Sequence, residues 1–437
     1  MSDFIHGSEL SIFSNPWPNR GIDRVQCIDY RPVSQIRDNT VIEFNVPGSG
    51  NLYLDLHNTK LHVKLQIVKE NGQLIDDSDS VGLVAVPLHS LFSQVDLLLE
   101  NELVTGACTD YPFKAYLEKL LYGSSDHPQA LSELHILDGS TAFNESSHMD
   151  RADTAATSGV NRGFVHRAKY TELGRVVDLE GKIHTDIAQQ DKYILSSVGL
   201  KLRLYPTTDA FRLLCAGPHT YKTHIVDIYL KVCKISLDPE VILSHNVILQ
   251  DQPAIYPFYK SDLRSFTVAS GLHSVQIDDP WNGTVPLKAY VFLVDALAYN
   301  GDFSRNPFNF QHRDIRAATL YVDNVSFPHH PLVTDFARRD CITAFNSLIE
   351  TAGRNYVGDT FDINPQKFTD GFTILAFNLQ PNSTNSLDSW AKARTGHMRL
   401  ELKFGTPIPE PLNVFLYATT AHVMHIDKAR NVTISSQ

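Results

Sequence analysis

Apolar and polar side chains alternate along several segments of the chain, with the period of two that a half-buried β-strand produces. The alternation is clearest at 61–67, 200–204 and 398–404. Further β-rich runs lie at 41–46, 95–99, 225–235, 288–294, 318–322, 372–379, 412–418 and 422–426. Strands of antiparallel sheets with one solvated face show this alternation, whereas buried parallel strands are continuously apolar. The pattern therefore predicts an all-β chain built of antiparallel sandwiches.

Two segments show helical periodicity instead. The first lies at 111–123, after a cap at Thr109 or Asp110, and Gly123 ends it. Its apolar stripe consists of Phe113, Tyr116, Leu117, Leu120 and Leu121. The second helix has Asp238 as its N-cap and Pro239 at its first position. Its apolar stripe consists of Val241, Ile242, His245, Ile248 and Leu249.

The length of the chain predicts more than one domain. It has 437 residues, more than the roughly 250 to 300 that one hydrophobic core sustains, and the second helix indicates a boundary near 237–262. Each half can hold the eight strands of a jelly roll, so we expect a double jelly roll: two antiparallel eight-stranded β-sandwiches in tandem, with a few short helices. The expected units are an N-terminal segment at 1–29, a first jelly roll at 30–237, a linker helix and connection at 238–262, and a second jelly roll with a C-terminal tail at 263–437.

Two further features of the sequence bear on this organisation. No internal sequence repeat is visible, so a duplication would show in the architecture alone. Residues 124–162 are rich in Ser, Asp, His, Ala and Thr and are expected to form a long surface insertion in the first jelly roll.

Charge and targeting signals exclude several classes of protein. The chain carries 49 acidic and 38 basic residues, a net charge of −11, and no basic run longer than a pair, which opposes nucleic-acid binding. Its first residues lack the basic and apolar regions of a secretory signal. No stretch approaches the roughly 18 apolar residues of a membrane span. We therefore expect a soluble protein that is not secreted through a signal peptide.

The five cysteines are odd in number, widely scattered and never arranged as CxxC. This spacing argues against a disulfide framework or a cysteine-based zinc site and predicts free thiols in a reducing compartment. The residues are Cys27, Cys108, Cys215, Cys233 and Cys341.

No motif in the sequence indicates catalysis. G-x-S-x-G, Walker A, H-E-x-x-H and dinucleotide-binding patterns do not occur. Two histidine pairs, His422 with His425 and His329 with His330, are interpreted as core or solvated side chains, the second pair in a proline-flanked loop. Acidic residues near two turns are interpreted as solvated; they are Glu70, Asp76, Asp77, Asp79, Asp278 and Asp279. The sequence therefore predicts no catalytic, cofactor-binding or metal-binding residue, and no cofactor.

Aromatic residues form two local groups. The first group consists of Phe308 and Phe310. The second group lies in the first helix and consists of Tyr111, Phe113 and Tyr116. Such residues stack on carbohydrate when they are exposed together and serve as packing or interface contacts when they are not. We favour packing.

Five collinear segments resemble the major capsid (hexon) proteins of adintoviruses and Polinton (Maverick) elements. The likeness extends from about residue 30 to 430, and Phe113 stands where the family more usually has Tyr. The segments are Val86–Asn101, Tyr111–Gly123, Arg175–Ile187, Asn306–Phe310 and Gly371–Leu379.

The resemblance implies a structural protein of a double-stranded DNA virus or virus-like mobile element, not an enzyme. Three chains would form a pseudo-hexagonal homotrimeric capsomer that contacts neighbouring capsomers, penton and minor capsid proteins, without direct sequence-specific nucleic-acid binding. The protein would lie in the virion after assembly inside the host cell, with residues 124–162 at an inter-subunit or outward surface. Two alternatives stay open: a jelly-roll glycan-binding or attachment protein, and a cupin-type enzyme with a metal on inward strand faces.

Overall fold

The computed structural model describes most of the chain and consists mainly of antiparallel strands. The described residues are 21–36, 39–76, 79–106, 108–123, 128–138, 161–215, 217, 221–354, 361–380 and 394–436.

The strands up to residue 237 form the first sandwich. They are β1 (Ile22–Tyr30), β2 (Ile42–Val46), β3 (Leu52–Lys69), β4 (Val81–Leu83), β5 (Phe92–Leu99), β6 (Glu102–Leu103), β7 (Val177–Lys182), β8 (Leu200–Pro206), β9 (Leu213–Cys215) and β10 (Tyr221–Leu237).

The strands from residue 254 onward form the second sandwich. They are β11 (Ala254–Val268), β12 (Ser274–Asp278), β13 (Thr284–Val285), β14 (Lys288–Asp295), β15 (Ile315–Val322), β16 (Val325–Val333), β17 (Leu375–Asn378), β18 (Arg394–Thr395), β19 (Met398–Phe404), β20 (Leu412–Ile426) and β21 (Val432–Ser436).

Short helices connect the strands, and the described residues also contain 3-10 turns at Glu172–Gly174 and Asp186–Gln189. The helices are α1 (Pro87–Ser90), α2 (Tyr111–Tyr122), α3 (Pro128–Ser132), α4 (Arg162–Tyr170), α5 (Asp209–Arg212), α6 (Pro239–Asp251), α7 (Ala296–Asn300), α8 (Ile342–Ala352) and α9 (Pro365–Thr369). Among the helices described, none is both long and apolar enough to span a bilayer.

The two sandwiches have the same strand topology. The first contains the four-stranded sheets β1-β10-β3-β7 and β2-β8-β5-β6, and the second contains β11-β20-β14-β17 and β12-β19-β15-β16. If the eight strands of these sheets are numbered along the chain within each sandwich, both sandwiches read 1-8-3-6 and 2-7-4-5. The small pairs β4-β9 and β13-β18, and β21 on β20, are additions. The architecture therefore repeats although the sequence shows no repeat.

The alternating segments form strands of the predicted kind. In β8, Leu200, Leu202 and Leu204 are buried, while Lys201 and Arg203 between them are half-buried. The pattern repeats in β19, which pairs with β12 and β15. Because the side chains of a strand alternate between its faces, one face lies in the core and the other remains wet. The prediction of antiparallel sandwiches is confirmed.

Both predicted helices are present. Helix α2 ends before Gly123, and α6 begins after Asp238, whose carboxylate accepts a hydrogen bond from the Glu240 amide at 2.9 Å. Asp110 occupies the N-cap position of α2 without making a side-chain cap there.

His329 and His330, predicted to lie in a loop, lie within the range of the edge strand β16, and both are exposed. They fall at a register shift, because Ala318 of β15 pairs with Leu332 and Leu320 pairs with Phe327, and the ladder passes over residues 328–331. The prediction is therefore wrong as to the element, but the flanking Pro328 and Pro331, which cannot donate to a ladder, lie in an irregular stretch of it.

The prediction that residues 124–162 form a surface insertion is wrong in part. Of residues 124–162, the structure describes 128–138 and 161–162. Glu133, Leu134, His135 and Asp138 are buried there. The carboxylates of Glu133 and Asp138 pair with Lys119 and Arg167, which permits their burial. Residues 124–127 and 139–160 lie outside the described part of the chain.

The prediction of free thiols is wrong for two of the five cysteines. Exposed Cys27 in β1 and buried Cys233 in β10 form a disulfide across 206 residues of sequence, with their Cα atoms 4.0 Å apart. The two residues stand opposite each other in the ladder between these strands. Sequence spacing does not show a cross-strand pairing, because that pairing depends on the register. Cys108, Cys215 and Cys341 remain thiols.

Reduction of this disulfide should destabilise the protein. Opening a loop of this length releases conformational entropy in the unfolded chain, and we expect a loss of about 2–4 kcal/mol of unfolding free energy. Urea unfolding of the oxidised and reduced protein measures the loss. A Cys27→Ser/Cys233→Ser variant serves as control, because reductant should not change its stability. An equal effect of reductant on that variant would contradict the prediction.

Candidate functional site: the junction between the two sandwiches

Helix α2 belongs to the hydrophobic cores of both sandwiches. Tyr111 and Ala115 pack in the first core, while the predicted apolar stripe of α2 packs in the second. Every residue of the helix is buried except half-buried Lys119 and exposed Tyr122. A helix that is apolar on one side only could not occupy this position, so α2 acts as a shared element of both cores.

Aromatic rings hold α2 against the second sandwich. The Phe113 ring lies 4.7 Å from that of Phe415, and the Tyr116 ring lies 4.5 Å from that of Phe308. Phe310 packs on Tyr116 at 5.5 Å. Phe308 and Phe310 are fully buried, which confirms packing rather than a carbohydrate platform as the role of this aromatic group.

A buried ion network on α2 connects the two sandwiches. The Lys114 Nζ lies 2.7 Å from Asp186 Oδ1, and Ser261 of β11 donates to the same oxygen at 2.6 Å. Glu118, one turn further along α2, lies 2.7 Å from His184 Nδ1 and accepts a hydrogen bond from the Tyr417 hydroxyl of β20 at 3.0 Å. Each carboxylate therefore joins α2 and the first sandwich to a strand of the second.

Partner charges outweigh burial in this network. Burial alone would lower the pKa of Lys114, but Asp186 and Glu118 beside it hold that pKa above its ordinary value. Burial would raise the pKa of Glu118, but Lys114 and His184 lower it. Lys114 and Glu118 are therefore charged at neutral pH, and removal of one of them would leave a buried charge with less compensation.

Two further carboxylates cross the junction. Asp110 accepts hydrogen bonds from Tyr299 at 3.0 Å and Ser265 at 3.3 Å, which explains why it does not cap α2. Asp138 accepts from the fully buried Arg167 at 2.6 Å and from Asn306 at 2.6 Å.

The ladder between β11 and β20 also spans both cores. At one end Tyr256 pairs with Met424, and both residues lie in the first core. Further along, Leu263 pairs with Tyr417, and both lie in the second core. A continuous two-stranded ladder and a shared helix therefore fix the relative position of the sandwiches.

Glu133 holds a second buried cluster close to α2. It lies 3.4 Å from His89 Nε2 and forms an ion pair with Lys119. Burial is the main cause that lowers the pKa of His89 to about 4 and that of His135 to about 3. Both histidines are therefore neutral at pH 7, and the ring nitrogens of His135 have no hydrogen-bond partner among the residues that the structure describes.

Solved structures share the architecture of the chain over its full length. A chain of the Sputnik virophage, solved by electron cryo-microscopy, has a TM-score of 0.63 at 12% identity, covering 100% of this chain and 93% of that one. The mavirus major capsid protein has a TM-score of 0.55 at 14% identity, covering 99% and 93%. The Faustovirus major capsid protein has a TM-score of 0.54 at 11% identity, covering 95% and 92%.

These likenesses and the repeated strand order settle the fold. The chain is an all-β double jelly roll. An uncharacterised Caenorhabditis elegans protein is 25% identical over 411 residues, which cover 90% of this chain and 93% of that protein. No protein-family model matches the chain.

The double jelly roll keeps the acidic loop after β3 outside this junction. The Lys69 Nζ lies 2.7 Å from Asp76 and 3.1 Å from Asp79, and Tyr221 donates to Asp79 at 2.8 Å. Glu70 lies beside them in the exposed turn, and Asp77 lies outside the described residues. At the other acidic turn, Asp278 accepts from Gln276 and Asp279 accepts from the Gly283 amide. Asp76, Asp79, Asp278 and Asp279 are therefore each bound by a side chain or a backbone amide away from the junction.

His422 and His425 of β20 do not converge on one site. His422 and His425 are half-buried in β20, and because side chains alternate along a strand, they point to opposite faces. Within the described residues no group of three His, Cys, Asp or Glu side chains is placed to hold a metal ion.

Sequence reasoning did not identify the charged junction residues. Lys114 and Glu118 stand four apart in a helix that is otherwise almost entirely apolar, and this spacing was the available signal. Asp186 has no such signal, because only the tertiary fold brings it to Lys114.

Glu118→Gln should strongly destabilise the double jelly roll. The substitution removes the carboxylate that His184 contacts and leaves Lys114 with Asp186 alone, and we expect a loss of about 3–5 kcal/mol in unfolding free energy. The matched control is Glu180→Gln, because Glu180 pairs with Lys60 and Lys231 at a partly exposed site, where about 1 kcal/mol or less is expected. Urea unfolding measures both variants, and equal losses would contradict the role assigned to Glu118.

Acidification from pH 7 to pH 4 should destabilise the protein. The unfolded chain protonates its histidines near pH 6.5, whereas folded His89 and His135 stay neutral down to about pH 4 and 3, so the unfolded state binds more protons in this window. Each histidine then adds a slope of up to about 1.4 kcal/mol per pH unit. The stability is complete above about pH 6.5 and decreases as the pH falls.

His135→Phe tests this dependence, because it removes one of the two contributions and should flatten the curve of unfolding free energy between pH 6.5 and 4. Exposed His166 of α4 supplies the control variant His166→Phe, which should leave the slope unchanged. A slope that is the same in all three proteins would show that His135 is not the titrating group.

Proposed function

We propose that the chain is a viral major capsid protein that assembles as a homotrimer into an icosahedral shell. The observation that carries the proposal is the repeated jelly roll in one chain, together with a likeness over nearly the whole length to the major capsid proteins of mavirus and Faustovirus. In this proposal the protein is structural and not an enzyme.

The fused sandwiches supply the geometry of a pseudo-hexagonal capsomer. Three chains around a threefold axis place six similar sandwiches in a ring, so that a trimer meets about six neighbours. This arrangement requires the two sandwiches of a chain to keep a fixed relation. The shared helix α2 and the ladder between β11 and β20 meet that requirement.

Exposed apolar side chains on edge strands supply candidate contact surfaces. Val25 and Ile28 are exposed in β1, and Val325 and Val333 in β16. Apolar patches of this kind mark interaction sites when they are contiguous. The proposed trimer interface is extensive, on the order of thousands of Å² as in obligate oligomers.

The finer assignment rests on the five segments that resemble adintovirus and Polinton (Maverick) capsid proteins. On this basis we propose a double-stranded DNA virus or virus-like element as the source, with penton and minor capsid proteins as further partners. The virion is the proposed location, after assembly inside the host cell. The net charge of −11 fits a shell that does not itself condense nucleic acid.

The proposed unit division follows the sequence: a segment at 1–29, jelly rolls at 30–237 and 263–437, and a connection at 238–262. Helix α6 lies within that connection. Strands β1 and β11 extend beyond the division, since β1 begins at Ile22 and β11 at Ala254.

The native mass of the purified protein tests the proposal. Light scattering should give a trimer of 3 × 49.0 = 147 kDa, and negative-stain images of the same peak should show a hexagonal outline. A stable monomer across concentration and salt would contradict the capsomer. Glycan binding by such a monomer would favour the attachment-protein alternative.

A further inference from the structure

A cavity of about 410 Å³ lies at the junction between the two sandwiches. Its wall includes Asp186 of the first sandwich, Tyr122 of α2, Lys288 of β14, and Arg354 in the segment that follows α8. The volume lies in the range of pockets that bind small molecules. This space is called the junction cavity.

A row of polar side chains on one sheet of the second sandwich faces the junction cavity. Thr419 of β20 pairs with Ser261 of β11 on one side and with Lys288 of β14 on the other. Side chains of directly paired residues lie on the same face of a sheet. The Ser261 hydroxyl donates to Asp186 across the junction at 2.6 Å, which identifies that face. The Lys288 side chain therefore projects from the sheet toward the first sandwich.

Lys288 has no counter-charge among the described residues. It is half-buried, and burial lowers the pKa of its ammonium group, with no carboxylate to offset that effect. The neighbouring buried cation is different, because Lys114 lies 2.7 Å from Asp186. A partly desolvated ammonium group without a partner is costly, so a ligand that supplies a negative charge would stabilise this site.

The other charges of the wall leave the junction cavity with an excess of positive charge. Among the described lining residues Asp186 carries the one carboxylate, and Lys114, which lies outside the wall, already neutralises it. Arg354 donates to the Tyr122 carbonyl at the end of α2 and has no carboxylate partner within the described part of the chain. The electrostatics of the junction cavity therefore favour an anion.

The remaining wall indicates what kind of anion fits. Tyr259, Leu287 and Ala352 offer ring and aliphatic surface, which suits an aromatic or apolar body. The buried Oε1 atom of Gln380 has no hydrogen-bond partner among the described residues, so a donor group on a ligand could satisfy it. One unpaired ammonium group matches one carboxylate, whereas phosphate is usually held by several donors at once.

We propose that the junction cavity binds a small organic carboxylate with an aromatic or apolar body, and that Lys288 is its counter-ion. Such a ligand touches α2, the second sandwich and the turn that contains Asp186 of the first. It therefore adds a contact between the sandwiches at the place where α2 already joins them. This inference does not depend on the capsid role.

Benzoate tests the site in the full chain by saturation-transfer NMR. We expect a dissociation constant on the order of 1 mM. Benzamide, which has nearly the same shape without the charge, should bind at least about tenfold more weakly. Lys288→Met should weaken benzoate binding by a similar factor and should fold, because it removes an unpaired charge. Lys222→Met is the matched control, since Lys222 is an exposed strand lysine of β10, and it should bind benzoate as the wild type does.

Chemical labelling reports on Lys288 in the unmodified protein. N-acetoxysuccinimide acetylates a lysine by forming an amide bond at Nζ, while the ester C–O bond breaks and N-hydroxysuccinimide leaves with the proton of the amine. Mass spectrometry then gives the rate at each lysine. Benzoate at about ten times its dissociation constant should slow acetylation of Lys288 about tenfold and leave Lys222 unchanged. Benzamide at the same concentration should protect neither residue.

Three results would overturn the proposal. Absence of benzoate binding, or equal binding of benzoate by the wild type and Lys288→Met, would show that Lys288 is not a counter-ion. Equal binding of benzamide would show that the cavity does not select a charge. Displacement of benzoate by an equal concentration of inorganic phosphate would assign the site to phosphates instead of carboxylates.

Discussion

The rigidity of the molecule depends on α2, which is buried in two cores at once. A jelly roll is complete with its eight strands, and two such units joined by one connection would be free to move relative to each other. Phe113 and Tyr116 pack in the second core while Tyr111 packs in the first. The helix therefore cannot leave one sandwich without exposing apolar surface of both.

The charges on α2 add directional constraint to this packing. Hydrophobic contact alone tolerates small rotations of a helix, whereas a buried carboxylate must keep its partners within hydrogen-bond distance. Glu118 faces His184 on one side and Tyr417 on the other. A rotation of α2 would break one of these contacts inside a dry environment, so the network specifies a single relative orientation of the sandwiches.

The sequence predicts the elements well and their partners poorly. Strands such as β8 and β19 and helix α2 follow from local periodicity, because the buried face of each element is encoded in consecutive residues. Helix α6 follows from its N-cap Asp238 and from Pro239, whereas only Leu249 of its predicted apolar stripe is buried. The Cys27–Cys233 disulfide and the Lys114–Asp186 ion pair join residues that are 206 and 72 positions apart. Such contacts depend on strand register and on the placement of loops, which local patterns do not contain.

Edge strands show how this fold limits uncontrolled strand pairing while it keeps surface for specific contacts. β16 contains Pro328 and Pro331, which lack the amide proton that an added strand would require. β1 is joined covalently to β10 through Cys27 and is therefore held at its own sheet edge. Exposed apolar side chains such as Val25 and Val333 lie on these same strands. Contacts between molecules at these edges should therefore be made by side chains, whose shapes are specific, rather than by backbone pairing, which is not.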